Sequence, residues 1–432
     1  MDGMERGRAW AIRAAVVGML VLRITPAAVS AGPGPADGEA SKAPAALARG
    51  VNLSMWFAQL PPSRERFANL ITRDDAVRIR KLGLTFVRVP VDPASLTDER
   101  DRGSLDPENL KLFEKALDSF QAEGLAVIVC PYLNDEPKRL LLTDPPSTRA
   151  FLSFWAALAT RLAARPADKV FLQTMNEPST DDQRACDLLQ EQVVSAIRRC
   201  APRHTIIAAS NLRAGGGWNP VAGFVAGAPV RDRNVVYDFH FYDPVQFTHQ
   251  GATWMTWQVK FYRDLPYPSS PEAVRPHLAG IGNSGARAFA DLYGRERWSR
   301  DRLQQRIGLA VAWGRKHKVP VLCGEFGVYR PNAPDADRLR YLRDVREVLE
   351  GHGIGWAMWE YCGDFGLVTI KDGRRVLDRQ TARALGLRDQ TDRTEDQSAR
   401  NQEPSAGANE GGPEGRSPSR DVGRDRTAEA GA

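Results

Sequence analysis

The chain is poor in the residues that build metal centres and disulfide frameworks: five cysteines and six histidines in 432 residues. No C-x-x-C pair and no H-E-x-x-H spacing occurs, so a zinc ribbon or zincin is excluded, and neither a metal nor another cofactor is expected. No G-x-G-x-x-G follows the first β-like segment, which argues against a dinucleotide-binding fold. No apolar run approaches the roughly 18 residues that span a bilayer, so a membrane span in the mature chain is not expected. The formal net charge of +6 is scattered. No basic run is interleaved with aromatics, and nucleic acid is not an expected partner. A hydrophobic fraction of 42% rules out a wholly disordered protein.

The two ends differ from the middle. Arg6, Arg8 and Arg13 precede an apolar stretch from Ala14 to Leu22, and Ala28-Val29-Ser30-Ala31 offers small residues for cleavage. That order reads as a signal peptide over residues 1–31 and predicts a secreted or periplasmic protein. Four arginines and two acids fall in this segment, so the remainder carries +4. From Arg388 to Ala432 there is one valine and no other aliphatic residue larger than alanine, no methionine and no aromatic. Such a segment buries too little apolar surface to offset its ordering entropy, and a disordered tail is expected over 388–432.

Between residues 44 and 387 one theme repeats: a short β-branched run, a polar or special residue, then an amphipathic helical pattern. Candidate strands cover 50–53, 85–89, 126–130, 170–173, 205–208, 235–239, 319–322 and 354–358. Their near-continuous apolar character suits a parallel sheet covered on both faces. Phe151, Phe154, Trp155, Leu158 and Leu162 mark one helical face; Leu110, Phe113, Leu117 and Phe120 mark another, with Gly124 placed to end it. Leu339, Leu342, Val345 and Leu349 form a third stripe, followed by Gly351. Eight strands with intervening helices fit a single-domain α/β fold, the (β/α)8 TIM barrel, better than a doubly wound open sheet. The stretch from Asp243 to Trp298 predicts a long excursion after strand six.

In such a barrel the chemistry lies at the C-terminal ends of the strands. Strand four runs into Asn176-Glu177-Pro178 and strand seven into Gly324-Glu325-Phe326-Gly327. Two carboxylates delivered to one mouth from different strands suit glycoside hydrolysis, in which one protonates the leaving oxygen and the other attacks or stabilises the anomeric carbon. Strand six runs into His240-Phe241-Tyr242, and the spacing of two sets both rings on one side of an extended chain. Arg88 stands among apolar neighbours on strand two, where its charge needs an anionic partner. Trp359 ends strand eight and offers an indole face to a pyranose ring. Each also has a structural reading, as a core histidine, a buried ion pair or a packing indole. Cys186 and Cys200 fall on one predicted helix, about 21 Å apart if it is continuous, and cannot pair with each other. Cys323 lacks a base motif and reads as a small barrel residue.

The ordered set resembles glycoside hydrolase family 5. It comprises Arg49-Gly50-Val51-Asn52-Leu53, Phe86-Val87-Arg88-Val89-Pro90, Asn176-Glu177-Pro178, His240-Phe241-Tyr242, Gly324-Glu325-Phe326-Gly327 and Trp356-Ala357-Met358-Trp359. Phe247-Thr248-His249-Gln250-Gly251-Ala252 also resembles a bacterial cellulase-type branch. The resemblance covers about Ala48 to Leu367 and implies retaining hydrolysis of a β-glucan, cellulose-like or mixed-linkage, through a covalent glycosyl-enzyme. It implies Glu177 as general acid/base, Glu325 as nucleophile and Asn176 on the sugar 2-hydroxyl. Arg88 and Tyr242 would orient Glu325, His240 would contact Glu177 or substrate, and Trp359 would floor the non-reducing-side subsite. Glu177 is expected to have the higher pKa of the pair, because it must be protonated when sugar binds. The chain departs from the family at the end of strand three, where Val129-Cys130-Pro131-Tyr132 replaces a histidine-bearing pattern and leaves Tyr132 or Asn134 in its place. Tyr132 and Trp254 are thus candidate subsite residues, and Trp254, Trp257 and Tyr262 could supply acceptor subsites or simply pack. The same machinery would serve a β-mannanase or β-1,3-glucanase. A barrel that holds a polysaccharide or oligosaccharide without cleaving it is the remaining alternative.

Overall fold

The structure, a computed structural model, describes residues 43–98, 104–255 and 258–388. The expected signal peptide, and the expected tail apart from Arg388, lie outside the described residues. Eight parallel strands close into a barrel: β1 (Arg49–Asn52), β2 (Phe86–Val91), β3 (Ala126–Pro131), β4 (Val170–Gln173), β5 (Ile206–Ala209), β6 (Val235–Phe241), β7 (Val321–Phe326) and β8 (Gly355–Met358). Each pairs with its sequence neighbours, and β1 pairs with β8 to complete the ring. Helices Arg73–Lys81, Pro107–Ala122, Pro145–Leu162, Gln183–Cys200, Pro220–Ala226, Arg300–His317 and Asp335–Gly351 lie between successive strands, and Arg379–Ala384 follows the last. Among the described residues no helix is long and apolar enough to cross a membrane.

Local chemistry starts these helices where the strands need to turn back. Asp106, Asp144 and Asn219 each accept a backbone N–H in the first turn, and each is followed by proline at the first helical position. The side-chain oxygen satisfies one orphan donor, while the proline supplies a helical φ without wasting an N–H. The predicted stripes from Phe151 to Leu162 and from Leu110 to Phe120 are buried against the sheet. The helix that carries the third stripe runs through Gly351, and the left-handed turn falls at Gly353, with φ 69°.

Inside the barrel the period of two sorts the side chains by depth. Phe86, Ala126, Ile128, Phe171, Ile207, Val236, Leu322 and Ala357 form an apolar plug at the base. Two residues further along their strands stand Arg88, Cys130, Gln173 and Asp238, all buried. A step of two keeps the face and climbs toward the mouth, so the plug carries a polar layer on top of it. Gly50 makes room for the plug: a Cβ there would lie 2.3 Å from the Phe86 ring.

β7 differs from the expected strand at both ends. It begins after Pro320, which has no N–H to give to the ladder, and runs through Phe326, so Glu325 lies within the strand. The β6–β7 register slips between Phe239 and His240, leaving Cys323 opposite Phe239 and Glu325 opposite His240. Without that bulge, strict alternation would send Glu325 outward with Cys323. With it, Gly324 and Glu325 both face the interior: the Gly324 N–H donates to Asp238 Oδ1 at 2.6 Å, and Glu325 meets Arg88. A Cβ on Gly324 would lie 2.4 Å from the Asp238 carboxylate.

The excursion between β6 and Arg300 contains helices Val245–Thr248, Pro271–Leu278 and Ser284–Glu296 and a 3-10 turn, Gln258–Phe261. Gln250 ties it together, donating to Phe247 O and Leu265 O and accepting from the Leu265 N–H. All five cysteines are free.

Candidate active site

Arg88 is fully buried and spans the polar layer. One terminal nitrogen donates to Glu325 Oε1 at 2.7 Å and Asn52 Oδ1 at 2.8 Å; the other donates to Asn176 Oδ1 at 2.8 Å and Cys130 Sγ at 3.2 Å. Its Nε donates to Gln173 Oε1 at 2.7 Å. Burial works against this charge, but the field of Cys130, Glu325, Asp238 and Glu177 outweighs it and holds the guanidinium cationic. The planar fork therefore joins β1, β3, β4 and β7 in one network, which a point-charged lysine could not do.

Glu325 also accepts from the Tyr242 hydroxyl at 2.9 Å. Glu177 lies four residues past β4 with φ 46°, a left-handed backbone uncommon for a side chain of this size. Asn176 is buried beside it, its N–H donating to Pro131 O at 2.7 Å. His240 stands between the acids, with Nδ1 2.8 Å from Glu177 Oε1 and 3.4 Å from Glu325 Oε2, and Nε2 3.3 Å from Asp238 Oδ2. One donor atom from each of Glu177, His240 and Glu325 lies within 4.8 Å of the other two. Such a trio could in principle ligate a cation, but Arg88 and the His240 ring already supply positive charge at contact distance.

Burial alone would push the His240 pKa down, but Glu325, Asp238 and Glu177 push it up to about 10, so the ring is cationic at neutral pH. Burial raises both glutamates as well. For Glu177 the His240 hydrogen bond and charge, with Lys138 and Arg88, outweigh burial and bring it down to about 2. Glu325 stays raised, through burial and the charge on Glu177, despite His240 and Arg88. This order reverses the one expected from the roles. The reason is geometric: the imidazolium aims Nδ1 at Glu177 and tips the charge of the coupled pair toward it. Protonation of Glu177 therefore requires that this contact loosen.

Trp359 is half-buried at the mouth, its backbone N–H donating to Phe326 O at 2.8 Å. Tyr132 is half-buried too, with its pKa raised by burial and by Glu177 and Glu325. Asn134, the other candidate at the end of strand three, is exposed at the start of the helix Asp135–Thr143. Trp254 is 54% exposed and meets Tyr329 edge-on at 4.7 Å. Tyr329, Phe365 and His249 continue the ring contacts inward to Tyr242. Tyr262 is buried, its hydroxyl donating to Ala286 O at 2.8 Å, so it packs the excursion and offers no acceptor subsite. Trp257 lies outside the described residues.

Four groups near the acids were not singled out from sequence. Asp238, whose carboxylate accepts from Gln173 Nε2 at 2.6 Å, shares the face of His240 at a spacing of two, a signal that was available. Gln173 sat unremarked in an apolar strand. Glu360 is buried and accepts from the Ser54 hydroxyl and the Phe365 N–H. Burial raises its pKa to about 7, although the Ser54 hydrogen bond opposes the shift. Lys138, buried beside Tyr132, carried no sequence signal.

An eight-stranded parallel barrel with two close carboxylates at its mouth, each held from separate strands, is the framework of a barrel glycosidase. The cellulase model, glycosyl hydrolase family 5, matches residues 42–364, and the chain belongs to that family. It is a glycosidase that hydrolyses β-glycosidic bonds of a β-glucan, and the family works with retention through a covalent glycosyl-enzyme. Endoglucanase C of Acetivibrio thermocellus is 26% identical over 320 residues, covering 72% of this chain and 90% of that protein. Cellodextrinase A of Ruminococcus flavefaciens is 25% identical, covering 71% and 83%. Among solved structures, the endoglucanase Cel5A of Thermotoga maritima superposes with a TM-score of 0.64 at 22% identity, over 79% of this chain and 97% of that one. The cellulose synthase subunit Z of Clostridioides difficile gives 0.62 at 21% identity, over 78% and 99%.

Proposed function

We propose that Glu325 is the nucleophile and Glu177 the acid/base of an exported β-1,4-glucanase. The observation that carries the assignment is the single cluster in which Glu177, His240 and Glu325 place donor atoms within 4.8 Å of one another. Retaining enzymes set their carboxyl groups about 5–5.5 Å apart, because no water need fit between acid and sugar in the first step. Glu325 is the better placed to attack: Arg88 and Tyr242 fix both its oxygens, at 2.7 and 2.9 Å. Among the described residues Glu177 has no arginine hydrogen bond, and it is tied to a titratable ring, as a group that must both give and take a proton requires.

In the first step Glu325 attacks the anomeric carbon as Glu177 protonates the departing oxygen. In the second, Glu177 takes a proton from water, which displaces Glu325. Asn176, oriented by Arg88, would hold the 2-hydroxyl, Trp359 would lie under the sugar, and Tyr132 and Trp254 would serve subsites on either side. The relatives named as endoglucanases favour a cellulose-like polymer over mannan or β-1,3-glucan, and the residue 1–31 pattern supports export.

The test is reducing-sugar release from carboxymethylcellulose, mixed-linkage glucan, laminarin, mannan and xylan, with Glu325→Ala as control. Release from the β-1,4-linked glucans, abolished by the substitution, is expected. Release confined to mannan or laminarin would overturn the substrate, and full activity in Glu325→Ala would overturn the assignment.

A further inference from the structure

Where the family's strand-three pattern ends in histidine, this chain brings up an ammonium. Lys138 lies in the helix Asp135–Thr143, which starts four residues past β3. Helical side chains tilt toward the N-terminus, so Lys138 leans back toward the barrel mouth. Its Nζ stands 5.6 Å from the centroid of the Tyr132 ring, and its charge is felt at Glu177 and Cys130. The residue is only 6% exposed.

Among the described residues this ammonium has no ion-pair or hydrogen-bond partner; the Tyr132 ring is its neighbour. Each acid of the cleft is engaged elsewhere: Glu177 by His240, Glu325 by Arg88 and Tyr242, and Asp238 by Gln173, Gly324 and His240. Glu136, on the same helix, is exposed and paired with Arg139 at 2.6 Å. The stem is buried while the ammonium keeps a solvent-facing side, and a ring face supplies only part of what a counter-charge would. Three N–H donors and a positive charge are thus left facing the side of the cleft that Tyr132 lines.

We propose that Lys138 and Tyr132 form a receptor for a carboxylate carried by the glycan, making this enzyme selective for an acidic β-glucan. The ring would pack on the sugar while the ammonium takes the charged substituent. The proposal rests on the glycosidase reading of the same cleft and narrows its substrate class. A neutral chain would offer hydroxyl oxygens to Lys138 but no counter-charge.

The experiment compares a neutral cello-oligosaccharide with the same oligomer oxidised to carboxylate at C6 of part of its units. The wild-type protein should favour the carboxylated oligomer in kcat/KM, with a preference that falls as salt rises. Lys138→Met, of similar length without charge, should lower the carboxylated-to-neutral ratio about tenfold, and Lys138→Arg should keep most of it. Binding to Glu325→Gln protein, followed by calorimetry, should show the same loss for the carboxylated oligomer when Lys138→Met is added. No wild-type preference, or an equal loss on both oligomers, would overturn the proposal. Failure to cleave either oligomer would count against the glycosidase reading, and the calorimetric ratio would still decide the role of Lys138.

Discussion

The His240 Nδ1 lies 2.8 Å from Glu177 Oε1 and 3.4 Å from Glu325 Oε2, so the ring that joins the two acids is bonded more closely to Glu177, the proposed acid/base, than to Glu325, the proposed nucleophile. In the free site this contact sets the charge order of the pair. A sugar bound between the acids would have to compete with it.

Replacing His240 by glutamine removes a buried cation from beside two carboxylates. Both should then be harder to ionise, so the acid limb of the kcat/KM profile should move to higher pH. An unmoved acid limb in the folded variant would show that His240 does not govern the pair. The wild-type ring, held near 10, should stay charged through neutral pH. Relative to its ordinary value near 6.5, its stabilising contribution is full below that value and is lost as pH rises through about 10.

Arg88→Met should leave the Glu325 carboxyl buried without its guanidinium. Breaking one side of a buried pair costs about 3–5 kcal/mol, which should appear as a lower urea midpoint. Arg88→Lys should recover part of the stability but little activity, since it cannot reach Asn52, Gln173, Asn176 and Glu325 together. A lysine variant with wild-type kcat would argue against Arg88 as a positioning residue.

Glu360 has its pKa raised to about 7, so between its ordinary value and 7 the folded protein holds this proton more tightly than the unfolded chain. Its contribution is full below about 4.5 and is lost as pH rises through 7. Glu360→Gln cannot ionise and should gain on wild type above pH 7 by an amount on the order of 3 kcal/mol, with little difference at acid pH. Urea unfolding of both proteins at acid and alkaline pH measures this; a gap that does not widen with pH would refute it.

The alternation of strand and helix was legible because burial on both faces forces continuous apolar strands, and helical stripes report the face each helix turns to the sheet. Asn176, Glu177, His240, Tyr242 and Trp359 were legible because they follow or finish such strands. The inward aim of Glu325 was not: a simple period of two from Leu322 sends it outward, and only the slipped register against β6 turns it in. The lower pKa of Glu177 was equally hidden, since it depends on which oxygen His240 faces. Lys138 and Glu360 did not stand out as site residues because each meets neighbours that only the path of the folded chain brings to it.

The sequence by itself determined the barrel and placed two glutamates at its strand ends, because these follow from periodicities of two and 3.6 and from residue chemistry. Tertiary structure alone decided how charge is shared among Glu177, His240 and Glu325, and that Lys138 stands beside Tyr132 without an ion-pair partner among the described residues. Electrostatic coupling depends on distance and burial between segments far apart in the chain, and neither quantity is written in the order of residues.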